Sequence, residues 1–214
     1  MKSKLFTIVL VLLAALALSV AVNAQEDASS SAPVNSFADG VVLDGSWSIV
    51  NRHENGLSMS LHTSDLVPGE AYTVWWVIFN APENCKGGVC DADDLFVIDA
   101  ETNGIVMDDF GQRVMDPAGL ENANISIQYA TGGLVDAEGN GNFAAAVGVG
   151  DVPGVIAGPG LVDPQTAEVH LIVRSHGPVL ADAFDAQLTT FGGGCEPADA
   201  PPCQDVQFSM HLPQ

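Results

Sequence analysis

Positive charge is scarce in this chain: six Lys and Arg residues stand against 27 Asp and Glu, a formal net charge of −21. A surface of that sign repels phosphate backbones and anionic headgroups, which excludes nucleic acid and anionic membranes as partners. Aromatic residues are also few, at 7% of the sequence. No segment sustains a capped helical period, and none beyond the N-terminus is apolar for long enough to span a bilayer. Catalytic signatures are missing as well: there is no G-x-S-x-G elbow, no P-loop, no G-x-G-x-x-G turn and no H-E-x-x-H helix. Ser175 and His176 are adjacent, and neighbours on an extended segment point apart, so they are no triad. Neither a redox C-x-x-C nor a zinc-type C-x2-C spacing occurs. These absences weigh against an enzyme.

What is present begins at the N-terminus. Lys2 and Lys4 form a basic n-region, Leu5 to Val22 an apolar h-region, and Val22-Asn23-Ala24 a small-residue cleavage site. Together they predict a secretory signal peptide over residues 1–24, hence a soluble protein that is secreted or periplasmic. Residues 25–38, rich in Ser, Ala and Asp, read as a flexible leader, and 39–214 as one domain. With Lys2 and Lys4 removed, the remaining cations are Arg52, Lys86, Arg113 and Arg174. The four cysteines, Cys85, Cys90, Cys195 and Cys203, are even in number on an exported chain, so disulfides are expected. Of the three connectivities, the local one is favoured, because CKGGVC and CEPADAPPC each close a short Gly- or Pro-rich loop. Each such loop contributes about 2–3 kcal/mol in the chain-entropy picture.

The periodicity is that of strands. Trp47 to Val50 opens a first one, and Leu57, Met59 and Leu61 alternate with Ser58, Ser60 and His62. Ile125, Ile127 and Tyr129 repeat the pattern, as do Val169, Leu171 and Val173, and then Val206, Phe208 and Met210. GGLVDAEGNGNFAAAVGV reads as a hairpin turning at Glu138–Gly141. Short strands between Gly/Pro turns predict an all-β chain, an antiparallel β-sandwich or barrel. One long acidic loop, Asp91 to Gly119, interrupts it and holds the best candidate for a helical turn. In AYTVWWVIFN both faces are apolar, with Val74, Trp76 and Ile78 on one and Thr73, Trp75, Val77 and Phe79 on the other. Such a strand is covered on both sides or offers one side to a partner. Leu95, Phe96, Val97, Ile98 and Val106 of the acidic loop would serve as the cover. If they do not, Trp75 is a stacking platform for a glycan.

Five histidines occur. His62, His170 and His211 fall on the polar sides of their strands, where convergence would make a copper or zinc site; otherwise they face solvent or hydrogen-bond locally. His176 stands beside a turn and is a fourth candidate ligand; together with Arg174 it could instead bind an anion, or be a polar pair that ends the strand. Asp91, Asp93, Asp94, Asp108 and Asp109 cluster around the acidic loop and raise two further readings, calcium or paired carboxylates for glycoside hydrolysis. DAEGNGN, Asp136 to Asn142, mimics the start of a calcium loop, yet Val147 occupies the position that needs Glu, so a hairpin turn is expected there.

In LHTSDLVPGEAYTVWWVIFNAPENC, AEVHLIVRSHGP, TFGGGC and VQFSMH the chain resembles a group of exported bacterial β-sandwich proteins to which no activity is assigned. The GGLVDAEGNGNF segment gives a looser likeness to chordin-repeat-type domains. The resemblance implies a secreted β-fold and carries no catalytic residue. The sequence thus points to a non-enzymatic exported binding or scaffold protein with an extracellular or envelope ligand. A histidine copper or zinc protein and a glycan-binding module are the alternatives.

Overall fold

The computed structural model describes residues 28–109, 113–195 and 203–214; the expected signal peptide lies outside them. Eight antiparallel strands form one sheet: β1 Ala28–Ser36, β2 Val42–His53, β3 Gly56–Thr63, β4 Glu70–Phe79, β5 Ile125–Leu134, β6 Gly141–Gly148, β7 Glu168–Pro178 and β8 Gln204–His211. Their order is β5-β4-β7-β8-β1-β2-β3-β6. The edge strands β5 and β6 are consecutive in the chain and meet around one turn, so the sheet curls into a nearly closed barrel. The expected hairpin is therefore only a reversal: β5 ladders with β4, and β6 with β3. Six residues separate the two strands, more than the two-residue loop that locks a ladder. Asp136 organises the turn, its Oδ1 accepting from the backbone of Glu138 at 3.0 Å and of Asn140 at 2.7 Å.

β1 corrects the reading of 25–38 as leader. ASSSAPVNS has too little apolar alternation to announce a strand, but it pairs with β2 on one side and β8 on the other. Val34 is thereby fully buried in the barrel core with Val50, Met59, Trp76 and Leu171.

A second apolar cluster lies outside the barrel wall, against β4 and β5. Trp75, Val77, Phe79, Ile125 and Ile127 pack there with Leu95 and both cysteines of the Cys85–Cys90 disulfide. Phe96 of the acidic segment joins them, whereas Val97, Ile98 and Val106 do not belong to this cluster. Two short helices shape that cover, α1 Ala92–Leu95 and α2 Pro117–Asn122. Asp91 caps α1 by accepting from Asp93 N, while buried Asp94 accepts from Asp91 N and Lys86 N. These carboxylates are used in holding the loop together. The third helix, α3 Phe184–Thr189, lies close on β5. Gly132 permits the approach, since a Cβ there would stand 2.1 Å from Leu188 O.

Two strands carry their polar side inward, which alternation alone does not reveal. On β8 it is Gln207, Ser209 and His211 that are buried, while Met210 is exposed. On β2, Ser46, Ser48 and Arg52 point in and Trp47 points out. Most of the inward groups satisfy one another, whereas Ser209 Oγ and Arg52 Nε meet no hydrogen-bond partner among the described residues. Thr63 Oγ1 donates to Gln207 Oε1 at 2.5 Å, and His211 lies between Ser30 Oγ at 2.9 Å and Ser48 Oγ at 2.8 Å. The Arg52 guanidinium closes one end, donating to the carbonyls of Pro164, Ala167, His211 and Leu212.

Candidate functional site

The two halves of the barrel wall differ. Outside β4 and β5 the second cluster pads the sheet, whereas outside β1, β2, β3 and β6 no described segment covers it. The register aligns the outward residues there in rungs. Pro33, Trp47, His62 and Asn142 share one; Ser31, Ile49, Ser60 and Ala144 the next; Ser29, Asn51, Ser58 and Ala146 the third. None of these rungs contains Asp, Glu, Lys or Arg, in a chain that carries 27 acids. With strands about 4.8 Å apart and rungs about 6.8 Å apart, the patch measures roughly 14 Å by 14 Å.

Trp47 dominates this face. It is 41% exposed, and its ring centroid is 5.9 Å from that of His62 at an interplanar angle of 35°. His62 Nδ1 donates to Asn142 Oδ1 at 2.8 Å, which fixes its ring and leaves the Asn142 amide nitrogen for another acceptor. An indole face beside an amide and an imidazole offers both apolar contact and hydrogen bonds, the combination that a hydroxylated ring requires.

The expected platform is elsewhere and closed. Trp75 is 2% exposed, boxed in by Tyr129 at 5.8 Å and Phe191 at 5.1 Å between ring centroids. Trp76 lies in the barrel core. Both tryptophans of the WW pair are therefore core, one in each cluster, and neither stacks on an external ligand.

The four histidines do not converge. His211 is inside the barrel, opposite Val169, and its pKa is pushed down to about 4 by burial, then by the charges of Arg52 and His170. His62 is on the uncharged face. His170 points outward and packs on Phe79, with Nε2 donating to Glu168 Oε1 at 2.7 Å. Glu168 also accepts from Cys90 N at 3.1 Å, so that pair anchors the first disulfide.

His176 has different company. Its Nδ1 donates to Gly193 O at 2.9 Å and lies 3.2 Å from Cys203 Sγ and 3.9 Å from Cys195 Sγ. Cys195 and Cys203 are bonded to each other, as the local pairing predicts. On the other side of the ring, Nε2 accepts from Thr73 Oγ1 at 2.8 Å. Burial lowers the His176 pKa, the nearby Arg174 adds to this, and the Gly193 carbonyl opposes it. His176, Cys195 and Cys203 form the one metal-compatible group among the described residues. Sequence spacing hides it, because Cys195 follows His176 at a distance of 19 positions and no ligand motif spans them.

A cavity of about 360 Å³ opens at the barrel end near Leu66. Several of its polar groups are already engaged: Tyr72 Oη accepts from Val67 N and donates to Glu70, and Gln207 is held by Thr63 and Ser64. The Trp47 face, in contrast, presents an exposed indole beside the Asn142 amide nitrogen. Comparison with family models, with curated proteins and with solved structures found no match for this chain.

Proposed function

We propose that this protein is an exported binding module that takes neutral glycans on the outer face of β1, β2, β3 and β6. The observation that carries the reading is Trp47, exposed on a rung with His62 and Asn142 in a patch free of charged side chains. The rest of the acidic surface would repel an anionic polymer, and an uncharged patch gives a cation no counter-charge. A neutral hydroxylated chain meets neither obstacle. Its apolar ring faces stack on indole, and its hydroxyls pair with Asn142, Ser58 and Ser60. The basic, then apolar N-terminus and the two disulfides support export into an oxidising compartment.

Tryptophan emission tests this directly, because Trp75 and Trp76 are enclosed and only Trp47 can report a surface ligand. Titration with a soluble neutral glucan and a neutral mannan should shift the emission, and Trp47→Ala should remove the response. An anionic uronate polymer should give none. If neither neutral polymer perturbs Trp47 or the amide resonances of His62 and Asn142, the assignment fails.

A further inference from the structure

Behind the padded half of the barrel, one imidazole and two sulfurs come together. The three donor atoms of His176, Cys195 and Cys203 lie within 4.8 Å of one another. In tetrahedral zinc, bond lengths of about 2.3 Å to sulfur and about 2.05 Å to nitrogen place N and S ligands about 3.6 Å apart. The two Nδ1–Sγ distances, 3.2 and 3.9 Å, bracket that value. Only the two sulfurs must part.

The imidazole is also held as a metal ligand is held. Its far nitrogen meets Thr73 Oγ1 at 2.8 Å, and Thr73 in turn accepts from Trp75 Nε1 at 2.8 Å. The contact orients the ring, and the outer nitrogen of a ligating histidine donates, so this bond must reverse its direction when Nδ1 takes a metal. The ring is 1% exposed, so its position is set by packing rather than by solvent. While the cysteines are joined, neither sulfur is a thiolate, and the imidazole stands alone.

We propose that reduction of the Cys195–Cys203 disulfide creates a soft-metal site, two thiolates with His176 Nδ1, for zinc or cuprous copper. The reductant is a dithiol. It delivers two electrons and two protons to the protein sulfurs, the protein S–S bond breaks, and the dithiol closes into its own disulfide. The incoming ion displaces the two thiol protons. The imidazole proton moves from Nδ1, where it points at Gly193 O, to Nε2, where Thr73 Oγ1 accepts it. Thiolate donors select these two ions over calcium or magnesium.

The test uses the mature chain with Cys85→Ser and Cys90→Ser, so that no other thiol contributes. After anaerobic reduction by a dithiol and desalting, zinc uptake is measured against a chromogenic chelator and cuprous copper against a cuprous-specific one. The expected result is one equivalent bound by the reduced chain and none by the oxidised chain, with H176N weakening uptake at least tenfold. X-ray absorption of the zinc form should show two sulfurs and an imidazole, a readout that needs no histidine variant. No stoichiometric uptake after reduction, or a shell of sulfur without imidazole, overturns the proposal. Glycan binding at Trp47 is unaffected by either outcome.

Discussion

The indole nitrogen of Trp75 donates to the hydroxyl of Thr73, two residues earlier on the same strand, at 2.8 Å. That hydroxyl donates onward to His176 Nε2 at 2.8 Å, and His176 Nδ1 donates to Gly193 O. One threonine thus serves two buried groups. Thr73→Val keeps the shape and strands both, at about 1–3 kcal/mol for each unpaired group. Thr73→Ser should recover most of the loss. Urea denaturation of the three chains measures it; equal stability for Val and Ser would show that the chain of bonds is not formed in solution.

Only one tryptophan is open to solvent. Acrylamide should quench a minor fraction of the emission and leave the rest nearly untouched, since Trp75 is 2% and Trp76 0% exposed. Trp47→Phe should abolish the quenchable fraction. A single linear quenching plot reaching all the emission would mean that the cover over Trp75 opens.

His211 makes stability depend on pH. Its pKa in the fold is about 4, against an ordinary 6.5, so the unfolded chain binds the proton first as pH falls. Stability is therefore whole above about pH 6.5 and declines toward pH 4, by about 3 kcal/mol from this group alone. Burial also lowers His176, which adds loss of the same sign. His211→Gln retains hydrogen-bonding groups for Ser30 and Ser48 and should flatten the slope. An unchanged slope in the Gln variant would assign it to other residues.

Arg52 is fully buried, and desolvation lowers its pKa while Asp163 opposes that from a distance. Its fork ties β2 to the residues that precede β7 and to the end of β8 with the residue after it. Arg52→Met removes the donors for four carbonyls and should cost on the order of 3 kcal/mol. Arg52→Lys, with a single ammonium, cannot reach all four and should fall between. Thermal unfolding ranks the three; a Met variant as stable as the parent would show that water or backbone movement satisfies those carbonyls.

The strands that could be read from the sequence are those whose alternation matches a simple inside and outside. Leu57, Met59 and Leu61 point inward as their spacing requires, and the doubly apolar run Val74 to Phe79 lies between two cores. The local disulfide pairing was legible for a similar reason, because short loops bring their own ends together. β1 was not legible, since its pairing partners, and not its side chains, make it a strand.

The sequence by itself determined an antiparallel β chain and its strongly acidic balance and favoured the local pairing of its cysteines, because each depends on local period, composition or short spacing. Which way β2 and β8 face was decided by tertiary contacts. Gln207, Ser209 and His211 go inside because Thr63, Ser30 and Ser48 meet two of them there, and that choice turns Trp47 outward. The uncharged patch and the His176–Cys195–Cys203 group are likewise products of register and packing. Residues far apart in the chain acquire a common chemistry only once neighbouring strands set them side by side.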